Sequence, residues 1–313
     1  MAPIPGEGAG ADRAAADAVT LPLGRQTPGM SMQLSKPDPA RRWPLSRTGG
    51  LCRTSSTRQQ LPALLRALRG ALPLCLALAA QARAETALVA VAANVSAPME
   101  RIALAFKKAT GHELRLSAGP TGRFYTQITA GGAPFEVLIS ADDETPRRLV
   151  SEGHAVAGTA FTYAIGQLVL WSPRAGLVDG DGQVLAGTTW RKLAIANPKL
   201  APYGQAAVEV LRALGLWERR QASLVMGESI AQAYQFVATG HAELGFVALS
   251  QIQQPGKPVS GSVWRVPQKW YAELRQDAVL LERGRHNPAA RALLEFLKTP
   301  AARSILQGYG YRH

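Results

Sequence analysis

The stretch TALVAVAANVSAPMERIALAF, residues 86–106, decides the fold class of this chain. Its first half is a continuous run of small and β-branched apolar residues, which is typical of a strand buried on both faces. Its second half is predicted to be a helix, because Ser96 can cap it and Pro98 fits its first turn. Apolar residues then recur on one helical face, at Met99, Ile102, Ala103 and Phe106. A buried strand that leads into an amphipathic helix indicates an α/β protein with parallel strands.

The same alternation continues from this stretch to the C-terminus. Further strands are predicted at residues 113–119, 135–142, 162–171, 193–197, 222–226, 243–249, 263–267 and 277–282. Further helices are predicted after the turn at 119–122 and at residues 144–152, 205–214, 229–239, 288–298 and 300–307. The pattern indicates two α/β blocks joined by extended stretches, with the tail returning to the first block. We therefore expect two lobes with a hinge and a cleft between them, formed by residues 85–166 with 265–313 and by residues 167–264.

A secretory signal peptide is predicted at residues 61–84. Residues 71–80, ALPLCLALAA, are an apolar run with arginines before it and small residues at positions 82 and 84 after it. This run is too short to cross a bilayer, which needs roughly 20 apolar residues. Cleavage after position 84 starts the mature chain at Glu85 and predicts a periplasmic protein.

The segment before the signal peptide, residues 1–60, is rich in Pro, Gly, Ala, Ser and Arg and has no apolar periodicity. This composition predicts a disordered extension, unless the start site is assigned too far upstream. The net charge of the chain is +13, and residues 1–84 hold eleven Lys and Arg against four acidic residues, which is seven of those charges. Most of the basic excess lies outside the predicted fold, so it gives no indication of nucleic-acid binding.

Enzyme and metal chemistry have no support in the side chains after Glu85. Both cysteines, Cys52 and Cys75, precede that residue, which excludes a thiolate metal site and a cysteine nucleophile from the predicted mature chain. The five histidines are scattered and fit no catalytic triad or metal motif. We therefore expect no enzyme, no cofactor and no directly ligated metal.

Four predicted strand-to-helix turns carry the candidate site, and they contain Asn94, Thr121, Tyr203 and Ile230. In an open α/β sheet, ligands gather at the carboxyl ends of the strands. Each turn also begins a helix, whose free N–H groups and positive dipole end favour an anion. Asn94 offers an amide donor, and Thr121 and Tyr203 offer hydroxyls. Any one of these turns alone is an ordinary helix start, but the set predicts an anion site built from neutral donors.

Several segments resemble the periplasmic molybdate-binding protein family. They are residues 90–97, GPTGRFYTQITAGGAPFEVLISAD (119–142), NPKLAPYGQAAVEVL (197–211), ELGFVALSQI (243–252) and TPAARSILQGYGY (299–311). The similarity extends over essentially all of residues 86–313. It implies a two-lobed, hinged periplasmic-binding-protein fold of type II that closes on molybdate or tungstate. It also implies a monomer that passes its ligand to the membrane permease of an ABC importer with a cytoplasmic ATPase.

The resemblance assigns ligand contacts to the same four positions. Asn94 matches a Ser or Asn ligand after the first strand, and Thr121 matches a hydroxyl ligand after the second. Tyr203 matches a Tyr or Ala position that contacts the anion, and Ile230 an apolar position that contributes its backbone N–H. One branch of the family has a ligand tyrosine where this chain has Ala248. We therefore expect Tyr203 to replace that contact.

Two alternatives use the same fold. A sulfate or thiosulfate receptor is one, because sulfate and molybdate are both tetrahedral dianions and differ mainly in size. A ligand-sensing regulatory protein is the other, but it needs a DNA-binding or signalling domain, and residues 1–60 contain no helix-turn-helix pattern. The main prediction is therefore an exported receptor for molybdate.

Overall fold

The computed structural model describes residues 84–313. Within them the strands are β1 (Thr86–Ala92), β2 (Glu113–Gly119), β3 (Val137–Ile139), β4 (Phe161–Gly166), β5 (Leu168–Ser172), β6 (Leu193–Ala196), β7 (Leu224–Gly227), β8 (Leu244–Ala248), β9 (Ser262–Arg265) and β10 (Leu274–Leu280). The α-helices are α1 (Ser96–Thr110), α2 (Thr121–Thr129), α3 (Glu144–Ser151), α4 (Pro202–Ala213), α5 (Trp217–Arg220), α6 (Ile230–Ala238), α7 (Leu249–Ile252), α8 (Pro288–Leu297) and α9 (Pro300–Gly308). The predicted mixed α/β fold is confirmed.

The described strands form two five-stranded sheets, with the orders β2-β1-β3-β10-β4 and β7-β6-β8-β5-β9. In the first sheet, β1 pairs in parallel with β2 and β3, whereas β10 is antiparallel to both β3 and β4. In the second, β6 is parallel to β7 and β8, and β5 is antiparallel to β8 and β9. The parallel strands are the ones joined by helices, as crossover connections require. Their carboxyl ends lead into the turns that carry the candidate site.

One strand prediction is wrong. Residues 162–171 are predicted as a single strand, but the structure has β4 in the first sheet and β5 in the second, with Gln167 between them. The backbone of Gln167 leaves the ladder of β4: its carbonyl accepts a hydrogen bond from the N–H of Leu249, and its side chain donates to the carbonyl of Gly310 at 2.6 Å. The apolar run hides this break because the residues on both sides of it are buried. The exact lobe boundaries stay a prediction.

The core lies where the apolar faces of the helices pack on the sheets. On α1, Met99, Ile102 and Phe106 are fully buried, which confirms the predicted helical face, and Leu104 on the other side is 73% exposed. The residues of β1 from Val89 onward are also buried, as its continuous apolar run predicts. The β1–α1 unit therefore folds as its sequence indicates.

Helix α4 begins earlier than predicted, at Pro202 instead of position 205. Proline fits the first position of a helix because its missing N–H has no intrahelical acceptor there in any case. This start places Tyr203 in the first turn of α4, so that its side chain is held by the helix and not by a loop. Two short helices, α5 and α7, are absent from the sequence prediction.

Residues 1–83 lie outside the described part of the chain. The predicted extension at 1–60 and all but the last residue of the predicted signal peptide fall there. Among the helices of residues 84–313, none combines the length and the apolar character that crossing a bilayer requires.

Candidate functional site

The structure brings the four predicted site residues together around one small cavity of about 10 Å3. Asn94, Thr121, Tyr203 and Ile230 all line it, and each is between 1% and 3% exposed. Asn94 follows β1 and Thr121 follows β2 in the first sheet, whereas Tyr203 and Ile230 follow strands of the second. The cavity therefore lies between the carboxyl ends of strands from both sheets.

Ala248, where one branch of the resembling family has a ligand tyrosine, is not among the residues that line this cavity. Its backbone N–H instead donates to Gln251 at 2.9 Å. Tyr203 is the tyrosine that lines this cavity, and its replacement of the missing ligand contact stays a prediction.

Helix starts supply N–H groups to the cavity. Thr121 is the first residue of α2 and Ile230 the first residue of α6, and an N–H at that position has no acceptor within its own helix. Among the described residues, neither backbone N–H has an acceptor elsewhere. Ser229 caps α6 through its hydroxyl, which accepts from the N–H of Gln232 and leaves the N–H of Ile230 free. Two helices of nine residues therefore direct their positive ends to the same small space.

The hydroxyl of Thr121 is held as an acceptor on one side. Its Oγ1 accepts a hydrogen bond from the N–H of Ala141 at 3.1 Å. Its own proton has no acceptor among the described residues, and both residues line the cavity. The contact with Ala141 fixes the rotamer of Thr121 and leaves its proton available to a ligand.

A buried hydrogen-bond network surrounds Asn94. Its Nδ2 donates to Gln276 Oε1 at 2.8 Å and to Tyr311 Oη at 2.9 Å. The backbone carbonyl oxygen of Asn94 accepts from Ser250 Oγ at 2.7 Å and from Tyr311 Oη at 3.0 Å. Asn94 Oδ1 is buried and has no partner among the described residues, although the side chain lines the cavity. That Asn94 contacts the ligand stays a prediction.

Gln276 connects this network to Tyr203. Its Oε1 accepts from Asn94 and from Tyr163 Oη, the latter at 2.9 Å, and its Nε2 donates to Tyr203 Oη at 3.0 Å. Gln276 lies on β10 of the first sheet and Tyr203 on α4, beside the second. The hydrogen bond therefore joins the two halves of the site.

The phenols in the site keep their protons at neutral pH. Burial raises the pKa of Tyr203 and of Tyr163 well above the ordinary value of a tyrosine, because the interior disfavours the charged phenolate. Burial raises the pKa of Tyr311 in the same way. All three side chains are therefore hydrogen-bond donors over the physiological pH range.

No residue that lines the cavity in the described part of the chain carries a charged side chain. Residues 84–313 also contain no group of three His, Cys, Asp or Glu placed to hold a metal ion. The lining offers small apolar side chains, hydroxyls, the Asn94 amide and helix N–H groups, so its chemistry is that of neutral hydrogen-bond donation.

Two contacts join the two halves of the site. The N–H of Gly122 on α2 donates to the carbonyl of Leu200 at 2.9 Å, and Arg123 pairs with Glu228 at 3.1 Å. A Cβ on Gly122 would stand 3.1 Å from the Leu200 oxygen, which is a tight contact, so a larger residue there would push the two backbones slightly apart. Each contact connects a residue after β2 in the first sheet with a residue that follows a strand of the second sheet.

Sequence reasoning missed the residues that hold the site residues in place, namely Gln276, Tyr311, Tyr163 and Ser250. Gln276 carries the one available signal, a polar residue in a run that becomes apolar at Ala278. The predicted strand begins at position 277, so Gln276 falls outside it. The partners are 73 to 217 residues apart along the chain, and no local pattern relates them.

The chain matches other proteins over nearly all of its described part. Residues 87–312 match the model of a family described as bacterial extracellular solute-binding protein. The molybdate-binding protein ModA of Azotobacter vinelandii is 57% identical over 234 residues, which are 75% of this chain and 92% of that protein. The molybdate-binding protein ModA of Rhodobacter capsulatus is 51% identical over 252 residues, 80% of this chain and 98% of that protein.

A solved structure is similar as well. The periplasmic molybdate-binding protein of Azotobacter vinelandii superposes with a TM-score of 0.71 at 42% identity, over 72% of this chain and 99% of that chain. The sulfate-binding protein SubI of Mycobacterium tuberculosis superposes with a TM-score of 0.59 at 16% identity, over 74% of this chain and 87% of that chain, and shows the fold alone.

Proposed function

The chain belongs to the family of bacterial extracellular solute-binding proteins, with molybdate-binding members among its relatives, and on that premise we propose that it captures molybdate for an ABC importer. Its partners in this proposal are the membrane permease and the cytoplasmic ATPase of that importer. Tungstate has the same shape and charge, and we propose it as a second ligand of the same cavity.

The observation that carries this proposal is a small, uncharged cavity where helix starts from both halves of the site converge. A tetrahedral dianion presents only acceptors, so it needs donors on every side. One exposed helix end contributes only about 0.3–1 kcal/mol to anion binding. A hydrogen bond to a charged group contributes about 1.5–3 kcal/mol, and several of these approach the roughly 8.2 kcal/mol of a micromolar complex.

Each site residue has a role in the proposal. Thr121 and Tyr203 donate their hydroxyl protons to ligand oxygens, and Ile230 donates its backbone N–H. Asn94 lines the cavity, and its side-chain amide contacts a ligand oxygen in this proposal. The free protons and N–H groups of these side chains and helix starts support the assignment.

The arrangement of the chain supports a receptor that opens and closes. We propose that residues 85–166 with 265–313 form one lobe and that residues 167–264 form the other, hinged near Gln167. Residues 61–84 act as a signal peptide in this proposal, and the mature protein works in the periplasm as a monomer. Ligand enters while the lobes are apart, and closure around it excludes water, which strengthens each hydrogen bond.

Thermal unfolding of the purified protein tests the ligand. Molybdate at about 100 times its dissociation constant adds roughly 2.7 kcal/mol to the free energy of unfolding. For a chain of this size, that raises the midpoint by about 5–10 °C. We expect such a shift with molybdate and with tungstate, and none with sulfate or phosphate at the same concentration.

The other outcomes have clear meanings. A sulfate shift as large as the molybdate shift would assign the protein to the sulfate receptors of the same fold. A protein whose midpoint no oxyanion changes would refute the proposed function and leave only the fold.

The ion pair between Arg123 and Glu228 joins the two halves of the site, and we expect it to prolong the molybdate-bound state. Both side chains are more than half exposed, so the pair contributes only about 0.2–1 kcal/mol. Glu228→Gln should therefore raise the dissociation rate of molybdate about twofold to fivefold. Stopped-flow displacement of bound molybdate measures this rate, and the difference from wild type should shrink in high salt.

This variant separates two explanations. Glu228→Gln removes a negative charge beside an anion site, so long-range electrostatics alone predict tighter binding, whereas loss of the closing contact predicts weaker binding. Lys107→Gln is the matched control, because Lys107 and Glu113 form a similarly exposed pair within the first half of the protein. Tighter binding by Glu228→Gln would show that the pair does not hold the cavity closed.

A further inference from the structure

The C-terminal tail, residues 309–313, runs beside one of the two connections between the sheets. This connection is Gln167, which lies between β4 and β5. The backbone of Arg312 pairs with that of Ile165 on β4 through hydrogen bonds of 2.7 and 3.0 Å. The carbonyl of Gly310 accepts a hydrogen bond from the side-chain amide of Gln167 at 2.6 Å. The tail is therefore attached to the first connection on both sides of the break between the strands.

The same tail contacts the second connection, residues 266–273, which joins β9 to β10. The guanidinium of Arg312 donates to Gln268 Oε1 at 3.1 Å and lies 3.9 Å from a carboxylate oxygen of Glu273. An arginine side chain has donors only, so the direction of these contacts is fixed. One short segment of chain thus holds both connections between the sheets.

The side chain of Tyr311 extends from the tail to the site. Tyr311 is buried, and its Oη lies 3.0 Å from the backbone carbonyl oxygen of Asn94 and 3.1 Å from Ser250 Oγ. Ser250 Oγ lies 2.7 Å from the same carbonyl oxygen. Each pair among these three oxygens is within hydrogen-bond distance, so the group is held together whichever hydroxyl gives its proton to the carbonyl.

This group of three oxygens joins the two halves of the site. Asn94 follows β1 of the first sheet, whereas Ser250 lies on α7, directly after β8 of the second sheet. Ser250 is 5% exposed and is not among the residues that line the cavity, so it is not a ligand contact. The tail packs closely on α7, since a Cβ on Gly310 would stand 2.6 Å from Leu249 Cδ2.

We propose that Ser250 is a positioning residue for ligand binding, which holds the Asn94 turn against the second half of the site in the closed form, with the tail as its anchor. A hydrogen bond between two halves that separate stabilises the closed form over the open form. Ligand leaves the opened protein, so a less stable closed form releases it faster. Ligand also enters the opened protein, so its association rate does not depend on this contact. The inference rests on the proposed function, because bound ligand reports the closure.

Stopped-flow measurement of molybdate association and dissociation in Ser250→Ala tests the proposal. We expect the dissociation rate to rise about fivefold, as the loss of one hydrogen bond predicts, and the association rate to stay at the wild-type value. Ser304→Ala is the matched control, because Ser304 is an exposed serine on α9, and both of its rates should equal those of wild type. An unchanged dissociation rate in Ser250→Ala would overturn the proposal. A fall in the association rate alone would also overturn it, because that result is typical of a damaged site.

Arg312→Ala tests the tail as the anchor. The substitution removes the contacts with Gln268 and Glu273 and leaves Ser250 in place, and we expect the dissociation rate to rise about twofold. In the Ser250→Ala background it should have a smaller effect, because the contact that the tail anchors is already weakened. Arg303→Ala removes the same charge from an exposed position on α9 and controls for the attraction of the anion.

The outcomes separate this inference from the proposed function. Equal dissociation rates in Arg312→Ala and Arg303→Ala would overturn the role of the tail. Failure of the wild-type protein to bind any oxyanion is a different result, which removes the proposed function and this inference together. A wild type that binds molybdate, with a Ser250→Ala variant that releases it equally slowly, overturns this inference alone.

Discussion

Replacing Gly166 with alanine is expected to weaken molybdate binding by about two orders of magnitude. Gly166 is the last residue of β4, and a Cβ there would collide with Tyr203 Oη and with Gln276 Nε2. Both groups are buried and hydrogen-bonded to each other, so neither can move aside without breaking the network. Overpacking of this kind typically costs about 1–3 kcal/mol, and we expect the upper end because the collision falls on the ligand contact itself.

The collision has two parts. Tyr203 lies on α4 beside the second sheet, so its collision is relieved when the two halves of the site separate. Gly166 and Gln276 lie on paired strands of the first sheet, so their collision remains in the open form. Isothermal titration of molybdate into Gly166→Ala measures the loss of affinity, and we expect its midpoint of unfolding without ligand to fall as well. Gly180→Ala is the control, because a Cβ at Gly180 meets open space and its backbone conformation suits any residue. Wild-type affinity in Gly166→Ala would mean that Tyr203 and Gln276 do not meet when ligand is bound.

The position of the site could be predicted from the sequence because its elements are local. A buried strand followed by a polar turn and a helix is visible within residues 86–106, and the turn at 119–122 has the same form. The physics of such turns is also local, since free N–H groups and a dipole end belong to the helix itself. The sequence therefore predicts Asn94, Thr121, Tyr203 and Ile230 as site residues, and the structure places them around one cavity.

The orientation of those residues could not be predicted, because it depends on distant partners. Gln276 reaches Asn94 across 182 residues and Tyr203 across 73. It reaches them because β10 lies between β3 and β4 and is antiparallel to both. The strand-helix-strand pattern of the sequence predicts only parallel neighbours, so it does not predict this pairing. The break at Gln167 was missed for a related reason, as hydropathy records burial and not which sheet a strand joins. Sequence reasoning thus predicts candidate donors but not the residues that hold them in place.

Removal of the Thr121 hydroxyl is the second large effect that we expect. Thr121→Val keeps the shape of the side chain but removes its proton donor and its acceptor together. Loss of a hydrogen bond to a charged ligand costs about 1.5–3 kcal/mol, which corresponds to a roughly 10- to 150-fold weaker complex. The N–H of Ala141 also loses its acceptor, and in the closed, dry cavity nothing replaces it.

The two losses can be told apart by where they act. The missing donor weakens the complex alone, whereas the unpaired N–H of Ala141 penalises every closed form and is satisfied by water when the cavity opens. We therefore expect the affinity for molybdate to fall while the unfolding midpoint without ligand changes little. Thr126→Val is the control, because Thr126 lies on the exposed side of the same helix and bonds only to the carbonyl of Gly122. Equal affinities for Thr121→Val and Thr126→Val would remove Thr121 from the ligand site, since the two substitutions differ only in which side of α2 loses a hydroxyl.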